Sequence, residues 1–252
     1  MTDLKKQFAA IRSSRKFAAE DAEYLSARRV FARDIGYPDL FTHVDQFGVY
    51  CGAQTLASRI VAYEALKRSV SVPGHVMEFG VWHGSNLLFM AKLLRLMQPS
   101  TTKLLFGFDN FAGLPPANSL DGAEASAAVG RYKGNEQVLR AAMELYHLQD
   151  WVHLVVGDAT QSVPAFEAEF PEAMVSLAWV DFDLYEPTRA ALQFLGRRLA
   201  RGGIVVLDEA ISQAWPGETV ALLEFLAETG LSFDMEANIL GRQPVMMLVR
   251  KS

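Results

Sequence analysis

The chain has 252 residues, half of them apolar, and a formal net charge of −5 at pH 7. This suits one sizeable α/β domain, or such a core with a helical appendage. The acidic balance argues against a nucleic-acid partner, because neutralising phosphates needs a basic surface, and no apolar run approaches the roughly 20 residues of a membrane span.

The opening segment MTDLKKQFAAIRSSRKF is basic but has no apolar signal core, and Cys51 is the only cysteine. A cytoplasmic protein without an internal disulfide is therefore expected. Residues 1–70 read as helical, with stretches at 5–17, 22–31 and about 55–69. In the last of these Leu56, Ile60 and Tyr63 share one face, and Pro73-Gly74 ends it. The texture then changes. Strands are expected at 75–79, 103–109, 152–156, 175–180 and 204–207, with final candidates at 231–235 and 245–249. Helices are expected at 86–97, 136–147, 188–199 and 219–229. A Gly/Pro/Ala-rich connection occupies 110–134. Such alternation predicts a mostly parallel, doubly wound α/β sheet, whose ligands bind beyond the carboxyl ends of the strands. Acids collect at those ends: Glu78, Asp109, Asp158, Asp181 and Asp208.

Glu78-Phe-Gly80-Val-Trp-His-Gly84-Ser85 joins the first strand to its helix. Gly80 suits a tight turn with positive φ, and Gly84 a close approach of backbone to a ligand. Trp82 stands where a dinucleotide fingerprint has its middle glycine, which disfavours a nicotinamide cofactor. An acid ending this strand suits a ligand carrying an amino group, such as S-adenosylmethionine. The alternative is a structural turn in which Glu78 caps backbone amides. Asp109 is placed to accept from ribose hydroxyls, or else to cap the turn after it. Asp158 is placed to accept from an adenine amino group, or else to form an Asx turn.

Asp181-Phe-Asp183 ends one strand and Asp208-Glu209 the next. Adjacent parallel strands would crowd these carboxylates and raise their pKa values. A hard divalent cation such as Mg²⁺ would relieve that repulsion. It would also acidify a bound hydroxyl. The alternative is that Asp183 caps the helix begun by Pro187 while Asp208 and Glu209 face solvent. His83 is expected at the surface, the tryptophans in packing roles, and the basic residues Lys5, Lys6, Arg12, Arg15 and Lys16 on a solvated helix face.

Six segments, in order, resemble the macrocin O-methyltransferase family of class I methyltransferases: EFGVWHGSN from Glu78, GFDNFAGLPP from Gly107, GDATQSVP from Gly157, VDFDLYEPT from Val180, RLARGGIVVLDE from Arg198, and WPGE from Trp215. The resemblance implies a seven-stranded, Rossmann-like methyltransferase domain over 71–252. It also implies a helical lid over 1–70 and a lid insertion at 110–134. Glu78, Phe79, Gly80 and Ser85 would line the methionine part of S-adenosyl-L-methionine, with Asp109 on the ribose and Asp158 and Ala159 at the adenine. Asp181, Asp208 and Glu209 would hold Mg²⁺, with Asp181 also the general base. The acceptor would be a sugar or another hydroxylated small molecule; metal-independent N- or O-methylation is the alternative. Neither a membrane nor a nucleic acid is implied as partner, and a homo-oligomer is left open. The chain departs from the family pattern at Asn110, Ala112, Pro187, Glu209 and Ala210, Glu209 standing where an aspartate is usual.

Overall fold

The computed structural model describes residues 18–238, 240, 243 and 246–251. Among them seven strands, β1 (His75–Phe79), β2 (Leu105–Asp109), β3 (Val152–Val156), β4 (Val175–Val180), β5 (Leu199–Leu207), β6 (Phe233–Ala237) and β7 (Met246–Arg250), form one sheet in the order β3-β2-β1-β4-β5-β7-β6. The first five pair in parallel; β7 runs antiparallel to both β5 and β6. The order reverses between β1 and β4, which opens a crevice at their carboxyl ends. β6 leaves the sheet edge exposed and acidic through Asp234 and Glu236, an arrangement that discourages further strand pairing.

Helices α1 (Ala18–Asp34), α2 (Leu40–Val44), α3 (Phe47–Tyr50) and α4 (Ala53–Ser69) precede the sheet. α5 (Ser85–Met97) follows β1, α6 (Gly122–Ala127) and α7 (Glu136–Leu145) follow β2, α8 (Ala159–Glu169) follows β3, α9 (Tyr185–Arg198) follows β4 and α10 (Pro216–Glu228) follows β5. Side chains alternate between the sheet's faces. Met77, Phe79, Phe108, Val180 and Leu207 pack with Phe166, Phe194 and Phe225 on one face. Val76, Leu105, Leu177, Trp179 and Val206 pack with Leu66, Leu87 and Leu139 on the other. Every residue of β4 is buried, in keeping with a run that is apolar but for Ser176.

Several expectations are corrected. On α4, Leu56, Ile60 and Tyr63 are 43, 42 and 37% exposed. The buried face is instead Ala57, Ala62, Ala65, Leu66 and Ser69, small side chains that let the helix lie close to the sheet. α8 was not expected, because Thr160, Gln161, Ser162 and the internal Pro164 conceal its periodicity. β5 begins at Leu199, before the Gly202-Gly203 pair that suggested a turn. The expected helix at 5–17 lies outside the described residues. α1 and α2 pack on the end of α7 through Tyr24, Phe41, Leu145 and Tyr146.

The 110–134 connection is folded back on itself. The Leu114 amide donates to Arg131 O at 2.8 Å, and the Gly130 amide to Leu114 O at 2.9 Å. Asp121, only 2% exposed, fastens it to the sheet layer. Its carboxylate accepts from the Asn118 amide at 2.7 Å and the Tyr185 amide at 2.6 Å. The α9 N-cap, Leu184, supplies no side-chain cap of its own, so Asp121 caps that helix from 64 positions away. Gly217 makes room: a Cβ there would sit 2.2 Å from Asp121 Oδ1. Loss of a buried, charge-assisted cap costs about 2 kcal/mol or somewhat more. Asp121→Ala is thus expected to lower the unfolding free energy read from urea melts by that amount and Asp121→Asn by less, since the amide oxygen still accepts. Equal stability of Asp121→Ala and the parent would remove the capping role.

Candidate functional site

A cleft of about 380 Å³ opens at the carboxyl ends of the strands, walled by Gly80, Asp109, Asp158, Asp181, Asp183 and Glu209 among others. Ala159 and Asp208 also face it. Of the residues singled out from sequence, Glu78, Phe79 and Ser85 stand outside its lining. Phe79 is fully buried and stacks on Phe108 with ring centroids 4.8 Å apart; its carbonyl accepts from the Asp181 amide at 2.8 Å. Ser85 is exposed at the start of α5.

The two glycines of the first loop serve packing. Gly80 has φ 94°, and a Cβ on it would fall 1.9 Å from the Asp181 carbonyl oxygen. It therefore lets the ends of β1 and β4 touch. Gly84, at φ 76°, faces Leu139, whose Cδ1 would be 2.2 Å from a Cβ there. The close approach expected between Gly84 and a ligand is an approach to α7 instead. Trp82 departs from its expected packing role: it is 49% exposed and lines the cleft. His83 is exposed, as expected.

Asp109 ties this loop down. Oδ2 accepts from the Val81 and Trp82 amides, both at 2.8 Å, and Oδ1 from the Phe111 amide at 2.6 Å. A carboxylate has about four lone-pair sites, so Oδ1 keeps capacity toward the cleft. Asp158 caps α8 through Oδ1, which accepts from the Thr160 amide at 2.9 Å and hydroxyl at 2.8 Å. Both acids thus perform the structural role that was the alternative reading, while still facing the cleft.

Behind the cleft Glu78 is 2% exposed. Oε1 accepts from Asn86 Nδ2 at 3.0 Å, and Oε2 has no partner among the described residues. Burial pushes its pKa up to about 8, against the Asn86 hydrogen bond and the Arg59 charge. The acids of β4 and β5 form a repelling cluster. Burial, then Asp208, Asp183, Glu218 and Glu78, hold Asp181 well above the usual carboxylate range. Burial with Glu209 and Asp208 brings Asp183 to about 7. Burial with Glu209 brings Asp208 to about 7. Asp183 is held at φ 62°, uncommon for a residue with a side chain.

Sequence reasoning gave Glu218 no role. It is fully buried on α10, accepts from the Glu209 amide at 3.0 Å, and leaves Oε2 without a partner among the described residues. Its presence in the WPGE segment was the available signal. Arg59 and Asn86 were also missed.

Among the described residues, no three Asp, Glu, His or Cys side chains are gathered to hold one metal ion. The expected ligand set of Asp181, Asp208 and Glu209 shares a cleft wall but is not assembled. Glu209 is engaged elsewhere on that wall, its carboxylate accepting from Gln243 Nε2. The donor chemistry nonetheless fits a hard cation. The set is all oxygen, its members repel, and the Arg59 charge is the one that pulls Asp208 back down. No helix among the described residues is long and apolar enough to cross a membrane.

The chain is 31% identical over 148 residues to the 8-demethyl-8-(2,3-dimethoxy-alpha-L-rhamnosyl)-tetracenomycin-C 4'-O-methyltransferase of Streptomyces olivaceus, a match covering 55% of this chain and 53% of that protein. It is 27% identical over 146 residues to the demethyldecarbamoylnovobiocin O-methyltransferase of Streptomyces niveus, with the same coverage of 55% and 53%. The match thus spans about half the length of these curated relatives. The solved structure of CalS11, a calicheamicin methyltransferase, superposes with a TM-score of 0.70 at 27% identity, covering 92% of this chain and 93% of that one. The O-methyltransferase NovP gives a TM-score of 0.66 at 20% identity over 78% of this chain and 80% of that one, which bears on fold alone. The model of the macrocin-O-methyltransferase (TylF) family matches residues 12–239. With that match, and the seven-stranded sheet of a class I methyltransferase beneath it, the chain belongs to the macrocin-O-methyltransferase family.

Proposed function

We propose that the protein transfers the methyl group of S-adenosyl-L-methionine to a hydroxyl of a sugar-bearing small molecule. The observation that carries this reading is a single cleft lined at one end by Asp109, Asp158 and Ala159 and at the other by Asp181, Asp183, Asp208 and Glu209. The first end suits a nucleoside, the second a polar acceptor whose hydroxyl must lose a proton. The relatives named for methylating a rhamnosyl tetracenomycin and a novobiocin precursor support the acceptor class.

In this reading Asp109 binds the ribose and Asp158 the adenine amino group, each through an oxygen the fold leaves available. The 110–134 connection contributes Asn110, Gly113, Leu114, Pro115 and Tyr132 to the wall and covers the reacting groups from water. Asp181 accepts the acceptor's proton, with Asp183 on the same wall as the rival base. Asp181, Asp208 and Glu209 would hold a divalent cation, which would supply acidification of the acceptor hydroxyl. The Glu209–Gln243 contact favours a second reading, in which the acids work without metal.

The test is incubation with S-adenosylmethionine and a panel of deoxysugar glycosides, followed by mass spectrometry, with and without a chelator. Transfer to a sugar hydroxyl is expected. Transfer to none of the glycosides, or only to an amine, would overturn the acceptor assignment. Full turnover in chelator would establish the metal-free reading.

A further inference from the structure

Gln54 and Gln243 line the cleft together with Asp208 and Glu209. They are 189 positions apart, Gln54 in the first turn of α4 and Gln243 in the segment before β7. Gln54 Nε2 donates to Gln243 Oε1 at 3.0 Å, and Gln243 Nε2 donates to Glu209. The direction of this chain of bonds is fixed at one end. An ionised carboxylate only accepts, so Gln243 turns its NH₂ toward Glu209 and its carbonyl toward Gln54. Gln54 then turns its own NH₂ toward Gln243. A carboxamide has two N–H donors and two lone pairs. The bonds therefore spend one donor on Gln54, and one donor and one lone pair on Gln243. An N–H on each residue and the whole of Gln54 Oε1 remain unspent among the described residues. Donors and an acceptor side by side match a hydroxyl, which both gives and takes hydrogen bonds.

We propose that Gln54 and Gln243 bind the hydroxyl next to the one that is methylated, so that the enzyme selects its acceptor by two adjacent hydroxyls on one sugar ring. This deepens the acceptor reading above and rests on it. The bond to Glu209 fixes the pair at the acid wall, where the reacting hydroxyl is placed. The acids then serve the hydroxyl that loses its proton. The carboxamides hold its neutral neighbour, and carry no charge with which to compete for that proton. The same geometry admits one rival: the pair is a structural tie between α4 and the β5 wall, with no contact to the acceptor.

Turnover of nitrophenyl α-L-rhamnoside, and of its derivatives lacking one ring hydroxyl each, separates the two, with the methylated position read by mass spectrometry. The parent is expected to prefer the rhamnoside, by roughly ten-fold or more in kcat/KM, over the derivative lacking the hydroxyl next to the methylated one. Removing that hydroxyl leaves polar groups of the site unpaired. Gln54→Met is expected to level the two acceptors through a loss on the rhamnoside. Gln243→Met should level them too, but it also frees Glu209, so Gln54→Met decides. Affinity for S-adenosylhomocysteine, by calorimetry, should be the same in Gln54→Met as in the parent. Equal losses on both acceptors in Gln54→Met would overturn the proposal in favour of the tie, and a parent indifferent to the missing hydroxyl would overturn it outright. A fall in S-adenosylhomocysteine affinity would place the pair at the donor and overturn it as well. If Gln54→Met does not fold, the parent's preference and Gln243→Met decide. Failure of the parent to methylate the rhamnoside or any glycoside of the panel above would instead reject the acceptor class, and the proposal with it.

Discussion

Gly80→Ala is expected to yield little or no folded protein. Two costs act together. The residue sits at φ 94°, where a Cβ is strained by roughly 1 kcal/mol or more. That Cβ would also lie 1.9 Å from the Asp181 carbonyl oxygen and 2.7 Å from its carbon. The obstacle is backbone, held by the Asp181 amide's bond to Phe79 O at 2.8 Å, so no rotamer relieves it. Separating the ends of β1 and β4 would break that bond and displace the acid that follows. A loss of about 4 kcal/mol or more is expected, read as soluble yield and urea midpoint. Gly84→Ala is the control: its obstacle is the mobile side chain of Leu139, so a smaller loss is expected. Should Gly80→Ala fold as well as Gly84→Ala, the β1–β4 junction is not as described.

Asp181→Asn should lower turnover by about 10²–10⁴-fold, the usual range for removing a general base, while affinity for S-adenosylhomocysteine changes little. The same substitution should make the ligand-free protein more stable at pH 8, because it removes a carboxyl group whose ionisation is disfavoured by burial and by Asp208, Asp183, Glu218 and Glu78. The pH dependence has a defined sign. Asp183 and Asp208 rise to about 7 and Glu78 to about 8, so the folded state binds more protons than the unfolded chain between pH 4 and 8. Their contribution is fully present below about pH 4, and is lost as pH rises through 7 and 8. Urea melts of the ligand-free parent should therefore weaken toward pH 8, and those of Asp181→Asn should weaken less. A parent whose stability climbs over that range would show the acids to be ionised and well paired. Normal turnover by Asp181→Asn would pass the base role to Asp183.

The parallel strands were legible because short, mostly apolar runs stand between turn signals: 75–79, 152–156 and 175–180 appear as read. The acids at the strand ends were legible for the same reason, as each follows directly on such a run. What could not be read depends on distant pairing. Asp121 acquires its meaning from Tyr185, 64 positions on, and Arg59 from Asn86, 27 positions on; neither pair leaves a local pattern. α4 misled because its buried side is made of alanines, which carry little hydropathy, while larger apolar groups face outward. Glu209 looked like a ligand from its place after β5, and only the fold shows Gln243 within its reach.

The position of β7 has a bearing on how the molecule is made. It lies between β5 and β6, and pairs with Ile204–Leu207 on one side and Phe233–Ala237 on the other. During synthesis the chain emerges in sequence, and units near its start can fold first. The strands β1 to β5 can assemble as they appear, but the outer edge of β5, the strand that leads into Asp208 and Glu209, stays open until residues 246–250 leave the ribosome. Through that interval the growing chain exposes a free edge at its acidic wall, where a misplaced strand could dock, and β7 closes it.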